Sequence, residues 1–214
     1  MCKGRITLLG FLFVVAGTVG CVSDVKEATQ QRNAPADQTA QRVTLEIPEA
    51  TWEPVFFKQL EARTTAVNLP NLRTVVLPEN DLEVRFWYDG MEIINGVVIR
   101  RMGQQWSANW IYQTVDRLPS STKMVLLDPP KSGWEVLWKS LVNAGILTLP
   151  DSPRPQCPAE ALDGISYIVE TNVNRTYRTY MYSNPQLMKC PEAKQMLQLE
   201  KTLGDEFSLN TRLR

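Results

Sequence analysis

Apolar and polar residues alternate in the central part of the chain, and this pattern predicts β-strands. In residues 82–88 the apolar side chains occupy every second position, which is the period of a strand with one buried face. The segments 96–102 and 105–112 follow after short breaks that contain glycine. We therefore predict a three-stranded antiparallel meander, with a short additional strand at 124–127.

Two later segments have apolar residues at helical spacing. Ser132 and Glu135 fit a capping box, and Gly145 stands where a carboxy-terminal cap belongs. The second helix is predicted to begin at Pro191. The inward positions of the two helices are Trp134, Leu137, Trp138 and Leu141 in the first, and Ala193, Met196, Leu199, Leu203 and Phe207 in the second.

Two further segments complete the predicted fold. Residues 51–63 can form a short helix, with Thr51 as its cap and Pro54 in its first turn. Residues 165–170 and 175–182 flank a polar break, which is typical of a β-hairpin. The predicted fold is α+β: an antiparallel meander and a hairpin packed with two or three helices, in a single domain over residues 47–214.

The amino terminus has the layout of a secretory signal peptide. Lys3 and Arg5 precede an apolar run over residues 6–20, which ends in small residues. A helix that spans a bilayer needs about 20 apolar residues, so this run is short for a permanent anchor. We predict that residues 1–20 are removed on export; the alternative is an uncleaved membrane anchor.

The exit of this run, Thr18-Val19-Gly20-Cys21, resembles the lipobox of bacterial lipoprotein precursors. The resemblance covers only the first 21 residues, and Thr18 replaces the leucine that is usual at its position. It implies that Cys21 carries the acyl chains, such as palmitate, that anchor the mature protein in a membrane. Because Val22 is not the aspartate of inner-membrane lipoproteins, it also implies the outer membrane, facing the periplasm. Cleavage by an ordinary signal peptidase remains the alternative.

The cysteine count bears on both points. Export leaves Cys21, Cys157 and Cys190, an odd number in an oxidising compartment. If Cys21 is acylated, the other two form an even pair, which we predict to be a structural disulfide. On the chain-entropy estimate a bridge of this span contributes about 3–4 kcal/mol.

Residues 22–46 contain no aromatic residue and are rich in Gln, Ala and Thr. We interpret residues 21–46 as a lipid-anchored flexible tether. A coil of 25 residues has an end-to-end distance of about 25–30 Å. The globular domain would therefore stand off the membrane surface.

Charge and composition exclude several functions. The full chain has 23 Lys and Arg against 23 Asp and Glu, and loss of Lys3 and Arg5 leaves 23 − 2 = 21 cations, a net charge of about −2. This balance argues against nucleic-acid binding. The chain has no histidine, which excludes histidine-based triads and histidine zinc sites. The sequence predicts no cofactor and no metal site.

Aromatic residues supply the candidate ligand platform. Trp87 lies on the strand face opposite Phe86, and Tyr180 and Tyr182 interleave with Arg178. Such side chains can stack on a ligand. We interpret Trp106, Trp110, Trp134 and Trp138 as core residues, with a sugar-binding platform as the alternative.

Catalytic candidates are few. Asp89, Glu92 and Asp128 lie on predicted loops, and paired carboxylates can hydrolyse glycosides. Residues 120–123 match S-x-x-K, but they precede an apolar strand-like run and are interpreted as a polar loop. Glu79, Asp81 and Glu83 form an acidic cluster without the ligand spacing of a calcium loop.

Together these observations favour an exported, lipid-anchored envelope protein whose domain is a non-catalytic binding module. Its partner would be an envelope protein or a glycan. The alternative is a carboxylate-dependent hydrolase of glycan or peptidoglycan. The two differ in a geometric expectation, since a hydrolase needs two of the three loop carboxylates in one cleft.

Overall fold

A computed structural model of the chain describes residues 44–46, 53–90, 93–114, 121–150 and 164–209. All of these residues belong to the unit Ala40–Arg214. They form a single α+β domain, as predicted. The strands are β1 (Thr44–Glu46), β2 (Leu82–Gly90), β3 (Ile93–Met102), β4 (Gln105–Thr114), β5 (Ser121–Leu126), β6 (Ile165–Val173) and β7 (Thr176–Ser183). The helices are α1 (Glu53–Ala66), α2 (Trp134–Asn143) and α3 (Pro191–Glu206), with a 3₁₀ turn at Pro185–Leu187.

The described strands form one open sheet in the order β1-β7-β6-β2-β3-β4-β5. Strands β2 to β7 pair antiparallel with their neighbours, whereas β1 pairs parallel with β7. The predicted meander is confirmed as β2, β3 and β4. The hairpin of β6 and β7 joins the free side of β2, and β5 is left at the edge of the sheet.

The two faces of the sheet are covered by different helices. One face, which we call the helix-pair face, packs against α2 and α3. It carries the alternate apolar residues predicted for β2, namely Leu82, Val84, Phe86 and Tyr88. The other, the α1 face, carries a smaller apolar cluster: Trp87, Val98, Ile111, Ile168 and Tyr177, packed with Phe57 and Leu60 of α1 and with Leu69 and Leu72. The domain is therefore a sheet between two helical layers.

Helix α2 begins one residue later than predicted, and the capping box is wrong. Gly133 is the N-cap, and no side chain bonds the free amides of the first turn. Glu135 accepts a hydrogen bond from the indole N–H of Trp106 at 3.1 Å. The Ser132 amide donates to the Glu206 carboxylate at 2.8 Å. The two groups that the capping box would have joined, the Ser132 amide and the Glu135 carboxylate, therefore bond residues of other elements instead.

The predicted end of α2 is confirmed. Gly145 has a φ of 92°, a left-handed conformation that favours glycine. Its amide donates to the Val142 carbonyl, and the Ile146 amide donates to the Leu141 carbonyl. These two bonds form a Schellman motif, which satisfies the last carbonyls of the helix.

The other two helices agree with the sequence pattern. Helix α1 extends three residues beyond the predicted segment and has Pro54 in its first turn. The pattern predicts Phe56, Phe57 and Leu60 on its inner face; Phe57 and Leu60 are buried, and the side chain of Phe56 lies outside the described part. Helix α3 begins at Pro191, and all five of its predicted inward residues are buried.

The β6–β7 turn is shorter than predicted. Asn174 and Arg175 alone form it, and both have positive φ, as the tight hairpin turn of type I′ requires. Thr171 and Asn172, predicted as loop, belong to β6 and are buried. The side-chain Nδ2 of Asn172 donates to the carbonyls of Leu72 and Val75 at 3.2 and 2.8 Å, because the segment after α1 crosses over this strand.

Strand β1 lies in the segment predicted as tether. Thr44–Glu46 pair with Thr176, Tyr177 and Arg178, so the domain begins before residue 47. Strand pairing uses the backbone, and polar composition did not reveal it. Residues 1–43, which include the predicted signal peptide and Cys21, lie outside the described residues, and their roles stay predictions. Within the described part, no helix has the length and hydropathy needed to cross a bilayer.

Candidate binding surface and buried polar network

A network of charged side chains lies under α1. Glu83 and Arg85 are almost fully buried on the α1 face and form an ion pair with Oε1–Nε at 2.6 Å. Arg100 bonds the other oxygen of Glu83 at 2.7 Å. Arg85 also donates to the Pro70 carbonyl at 2.8 Å. Glu83 and Arg85 therefore each have an opposite charge beside them, which is the condition for tolerating such charges in a core.

A second buried carboxylate lies directly across from Arg85 in the sheet. Glu170 accepts hydrogen bonds from the Trp87 indole at 2.8 Å and from the Tyr177 hydroxyl at 2.9 Å. Burial, and then the Glu170 carboxylate, raise the pKa of Tyr177 well above its usual range. The tyrosine therefore stays protonated and remains a donor to Glu170.

The space beside these groups is too small for a ligand. A cavity of about 10 Å³ borders Arg85 and Glu170 beneath α1. This volume is near the minimum for one water molecule. The network is therefore a structural core built from paired polar groups.

The predicted ligand platform is wrong, because its members do not share a surface. Trp87 is fully buried on the α1 face, whereas Tyr180 and Tyr182 are buried on the helix-pair face. The hydroxyls of Tyr180 and Tyr182 donate to the carbonyls of Ile146 and Pro150.

Arg178, the remaining member of the predicted platform, also bonds a backbone carbonyl of the segment that follows α2. It donates to the Leu149 carbonyl, and its guanidinium lies 5.0 Å from the centre of the Tyr180 ring. The three β7 side chains thus hold the segment that follows α2 against the sheet. The alternation of Tyr and Arg, interpreted as a ligand site, reflects this packing.

The tryptophans interpreted as core residues pack as predicted. Trp110 is buried, and Trp106, Trp134 and Trp138 are partly buried against the same core. Trp106 and Trp134 stack with their ring centres 5.8 Å apart and their planes 5° from parallel. This stack joins β4 to α2 and leaves no open aromatic face for a sugar between the two rings.

The catalytic candidates do not converge in the described structure. Asp89 lies two residues after Trp87 on β2 and therefore on the α1 side of the sheet. Burial raises the pKa of Asp89 there, and the nearby Arg63 opposes that shift. Asp128 is exposed and follows Leu127, which packs on the helix-pair face. Glu92 lies outside the described residues.

The S-x-x-K motif and the acidic cluster contribute to strands and turns of the fold. Ser121, Thr122 and Lys123 belong to strand β5, and Ser120 lies outside the described residues. Asp81 accepts a hydrogen bond from the Gly103 amide at 2.6 Å, at the β3–β4 turn. Among the described residues, no three acidic or cysteine side chains are close enough to hold a metal ion.

A tyrosine pair and one carboxyl lie together beneath α3. Tyr88 and Tyr167 are cross-strand neighbours with ring centres 5.6 Å apart. The Tyr88 hydroxyl is buried and has no hydrogen-bond partner in the described structure. Burial, and then the nearby Asp205, raise the pKa of Glu200. Burial, and then the nearby Glu200, raise the pKa of Tyr88 and of Tyr167. Both tyrosines belong to the buried cluster on the helix-pair face, so we assign this group of side chains to the core.

An open groove lies on the helix-pair face beside the edge strand. Its volume is about 540 Å³, within the range of about 300–1,000 Å³ of ligand sites. It is lined by Asn95, Trp110, Tyr112, Gln113, Val125 and Leu126. The side-chain oxygen of Asn95 accepts a hydrogen bond from the Gln113 amide at 3.2 Å, which holds the end of the β3–β4 ladder.

The sequence did not reveal this groove. The alternating pattern of β4 predicts Tyr112 on the same face as Trp110, and the structure shows it there, partly buried against the core and lining the groove. Its register neighbour, Lys123 of β5, is exposed. The groove exists because β5 is the last strand, and strand order could not be read from the pattern.

Cys190 is buried at the N-cap of α3 and takes part in a disulfide bond. Its predicted partner, Cys157, lies outside the described residues. The pairing of these two cysteines therefore stays a prediction.

Comparison with known proteins adds no further constraint on the function. No protein-family model, no curated protein and no solved structure matches this chain significantly. The function is therefore argued from the residues and their geometry.

Proposed function

We propose that this chain is an exported, lipid-anchored envelope protein whose α+β domain is a non-catalytic binding module. The observation that carries the proposal is the open groove beside the edge strand β5, in a domain whose buried Glu83, Arg85 and Glu170 are hydrogen-bonded within the core. Its partner is an envelope protein or a glycan. The proposal involves no cofactor and no nucleic acid.

The hydrolase alternative has less support. It requires two of Asp89, Glu92 and Asp128 in one cleft. Asp89 lies on β2 and Asp128 follows β5, and strands β3 and β4 separate these two positions in the sheet. The groove residues that the structure describes are aromatic, amide and aliphatic, a set suited to binding.

The proposed localisation in the envelope depends on the amino-terminal residues. We expect Cys21→Ser to abolish labelling by palmitate and to move the protein from the membrane fraction to the soluble fraction, because the acyl chains are the anchor. Cys2→Ser, which lies in the predicted signal peptide, is the matched control and is expected to leave both unchanged. The anchor assignment fails if Cys21→Ser keeps its label and its membrane fraction.

The binding role can be tested in cells with a photo-crosslinking residue in place of Gln113, which lines the groove. We expect a discrete adduct from this position. The same residue in place of Lys139, which is exposed on α2, is the control and is expected to give none. Mass spectrometry then identifies the adduct as protein or glycan. Absence of an adduct at Gln113, or equal adducts at both positions, would contradict a binding role for the groove.

A further inference from the structure

We propose that β5 binds an extended segment of a partner protein, which pairs antiparallel with it and adds a strand to the sheet. This inference rests on the proposed binding function and names the partner's chemistry. The segment is apolar, with one acidic side chain. Three observations carry it: the open hydrogen-bonding edge of β5, the exposed apolar side chains on one face, and the groove on the other.

The backbone of β5 has one free side in the described structure. β5 pairs only with β4, and the Leu127 amide donates to the Ala108 carbonyl at 2.9 Å. In an antiparallel ladder, alternate residues bond the same neighbour, so Val125 and Lys123 also face β4. The N–H and C=O groups of Thr122, Met124 and Leu126 therefore point to the open edge. An added strand can bond all three residues.

The α1 side of this edge is unusually apolar for an exposed strand. Met124 is 39% exposed and Leu126 is 74% exposed. Edge strands are usually protected from pairing by charges or proline, and on this side of β5 the residues Thr122, Met124 and Leu126 include neither. Directly opposite residues of an antiparallel pair share a face. Apolar residues of the added segment would therefore cover Met124 and Leu126.

The other side of the same edge meets the groove. Val125 packs on the helix-pair face, and it lines the groove together with Trp110, its register neighbour on β4. A segment residue opposite Val125 would place its side chain at the groove mouth, near Trp110 and Tyr112. A large apolar or aromatic side chain fits this position. A single extended segment thus accounts for both the groove and the exposed apolar pair.

Charge complementarity selects a partner segment over a second copy of this chain. Lys123 is exposed on β5, and an acidic residue opposite it would form a favourable cross-strand pair. Two copies of β5 can pair five residues in two antiparallel registers. In these registers Lys123 faces either the same lysine or Val125 of the other copy. Neither supplies a carboxylate.

The probe is a fluorescein-labelled peptide, acetyl-Val-Phe-Ile-Glu-Thr-Thr-amide. Paired antiparallel with β5, it places Phe opposite Val125 and Glu opposite Lys123. We expect the full-length protein in detergent to bind it saturably, with a dissociation constant on the order of 100 µM by fluorescence anisotropy. A peptide with Lys in place of Glu should bind at least about fivefold more weakly, because it opposes like charges.

Two variants test the geometry. Met124→Pro removes an outward amide that β4 does not use, and we expect at least about tenfold weaker binding. Met124→Ala keeps the amide and should change the affinity by about threefold or less. Lys123→Glu should reverse the preference between the two peptides, which tests the register without a proline. Unchanged binding by Met124→Pro with an unaltered fold, or no reversal by Lys123→Glu, overturns the inference.

Two further outcomes separate this inference from the function on which it rests. If the Gln113 crosslink persists in Met124→Pro, the domain is a binding module but does not use strand addition. If the protein without Met124→Pro gives neither a crosslink from position 113 nor peptide binding, the binding function fails as well. A dimer in sedimentation that Met124→Pro dissociates would assign β5 to a second copy and would overturn the partner assignment.

Discussion

Glu83→Ala is expected to lower the free energy of unfolding by about 3–5 kcal/mol, the cost of leaving a buried charge without its partner. Arg85 is 1% exposed, and its only ion pair in the described structure is with Glu83. Arg100 loses the same carboxylate. Urea denaturation at neutral pH measures the difference.

Two comparisons make this result specific to the network. Asp128→Ala removes an exposed carboxylate and should change stability by less than about 0.5 kcal/mol. The double variant Glu83→Met with Arg85→Met replaces the pair by apolar side chains and should be more stable than Glu83→Ala alone. If Glu83→Ala is as stable as Asp128→Ala, the network contributes nothing to the fold.

Gly96→Ala is expected to destabilise the domain by about 1–3 kcal/mol, the usual cost of overpacking a core. A Cβ at this position would lie 2.4 Å from Cε3 of the Trp87 ring. The ring cannot easily move, because it is fully buried and its indole N–H is bonded to Glu170. Thermal or urea unfolding measures the loss.

Gly90→Ala is the matched control for this change. Its Cβ would lie 3.4 Å from Ile165, an ordinary contact, so we expect a cost below about 1 kcal/mol. In a Trp87→Leu background, Gly96→Ala should cost less than in the unchanged protein, because the clashing ring is gone. Equal costs in the two backgrounds would show that the loss arises from the backbone and not from the contact.

The elements of the fold could be predicted because burial leaves a period in the sequence. Strands β2 and β4 follow alternate apolar residues, and α3 follows its five inward positions. The capping box at Ser132 shows the limit of local patterns. Its glutamate bonds Trp106, and the Ser132 amide bonds Glu206, so contacts from distant elements decided the cap.

The α1 face of β2 shows the same limit. Glu83, Arg85 and Trp87 alternate with the apolar residues, and the pattern does not decide whether a helix covers their face. All three are buried, because the charges pair with each other and the indole bonds Glu170. A sequence pattern separates apolar from polar positions. It does not show which polar side chains find partners.

The candidate binding surface depends on strand order, which local periodicity does not contain. The hairpin of β6 and β7 pairs with β2 and not with β5. Had it joined β5, the open edge would lie at β2. The backbone of β5, which carries Met124 and Leu126, would then be paired on both sides. The groove at Tyr112 therefore follows from one long-range pairing choice.

The two edges of the sheet are unequal, and this limits what strand addition can build. At the β7 edge, β1 is only three residues long and covers Thr176, Tyr177 and Arg178. A sheet with two equivalent long edges can pass strands from copy to copy and grow into a fibre, whereas very short edge strands resist such pairing. With its one long apolar edge at β5, this domain would take up a single segment and then stop. Strand addition would therefore yield complexes of one domain with one partner, and the concentration of the partner would limit how many complexes form.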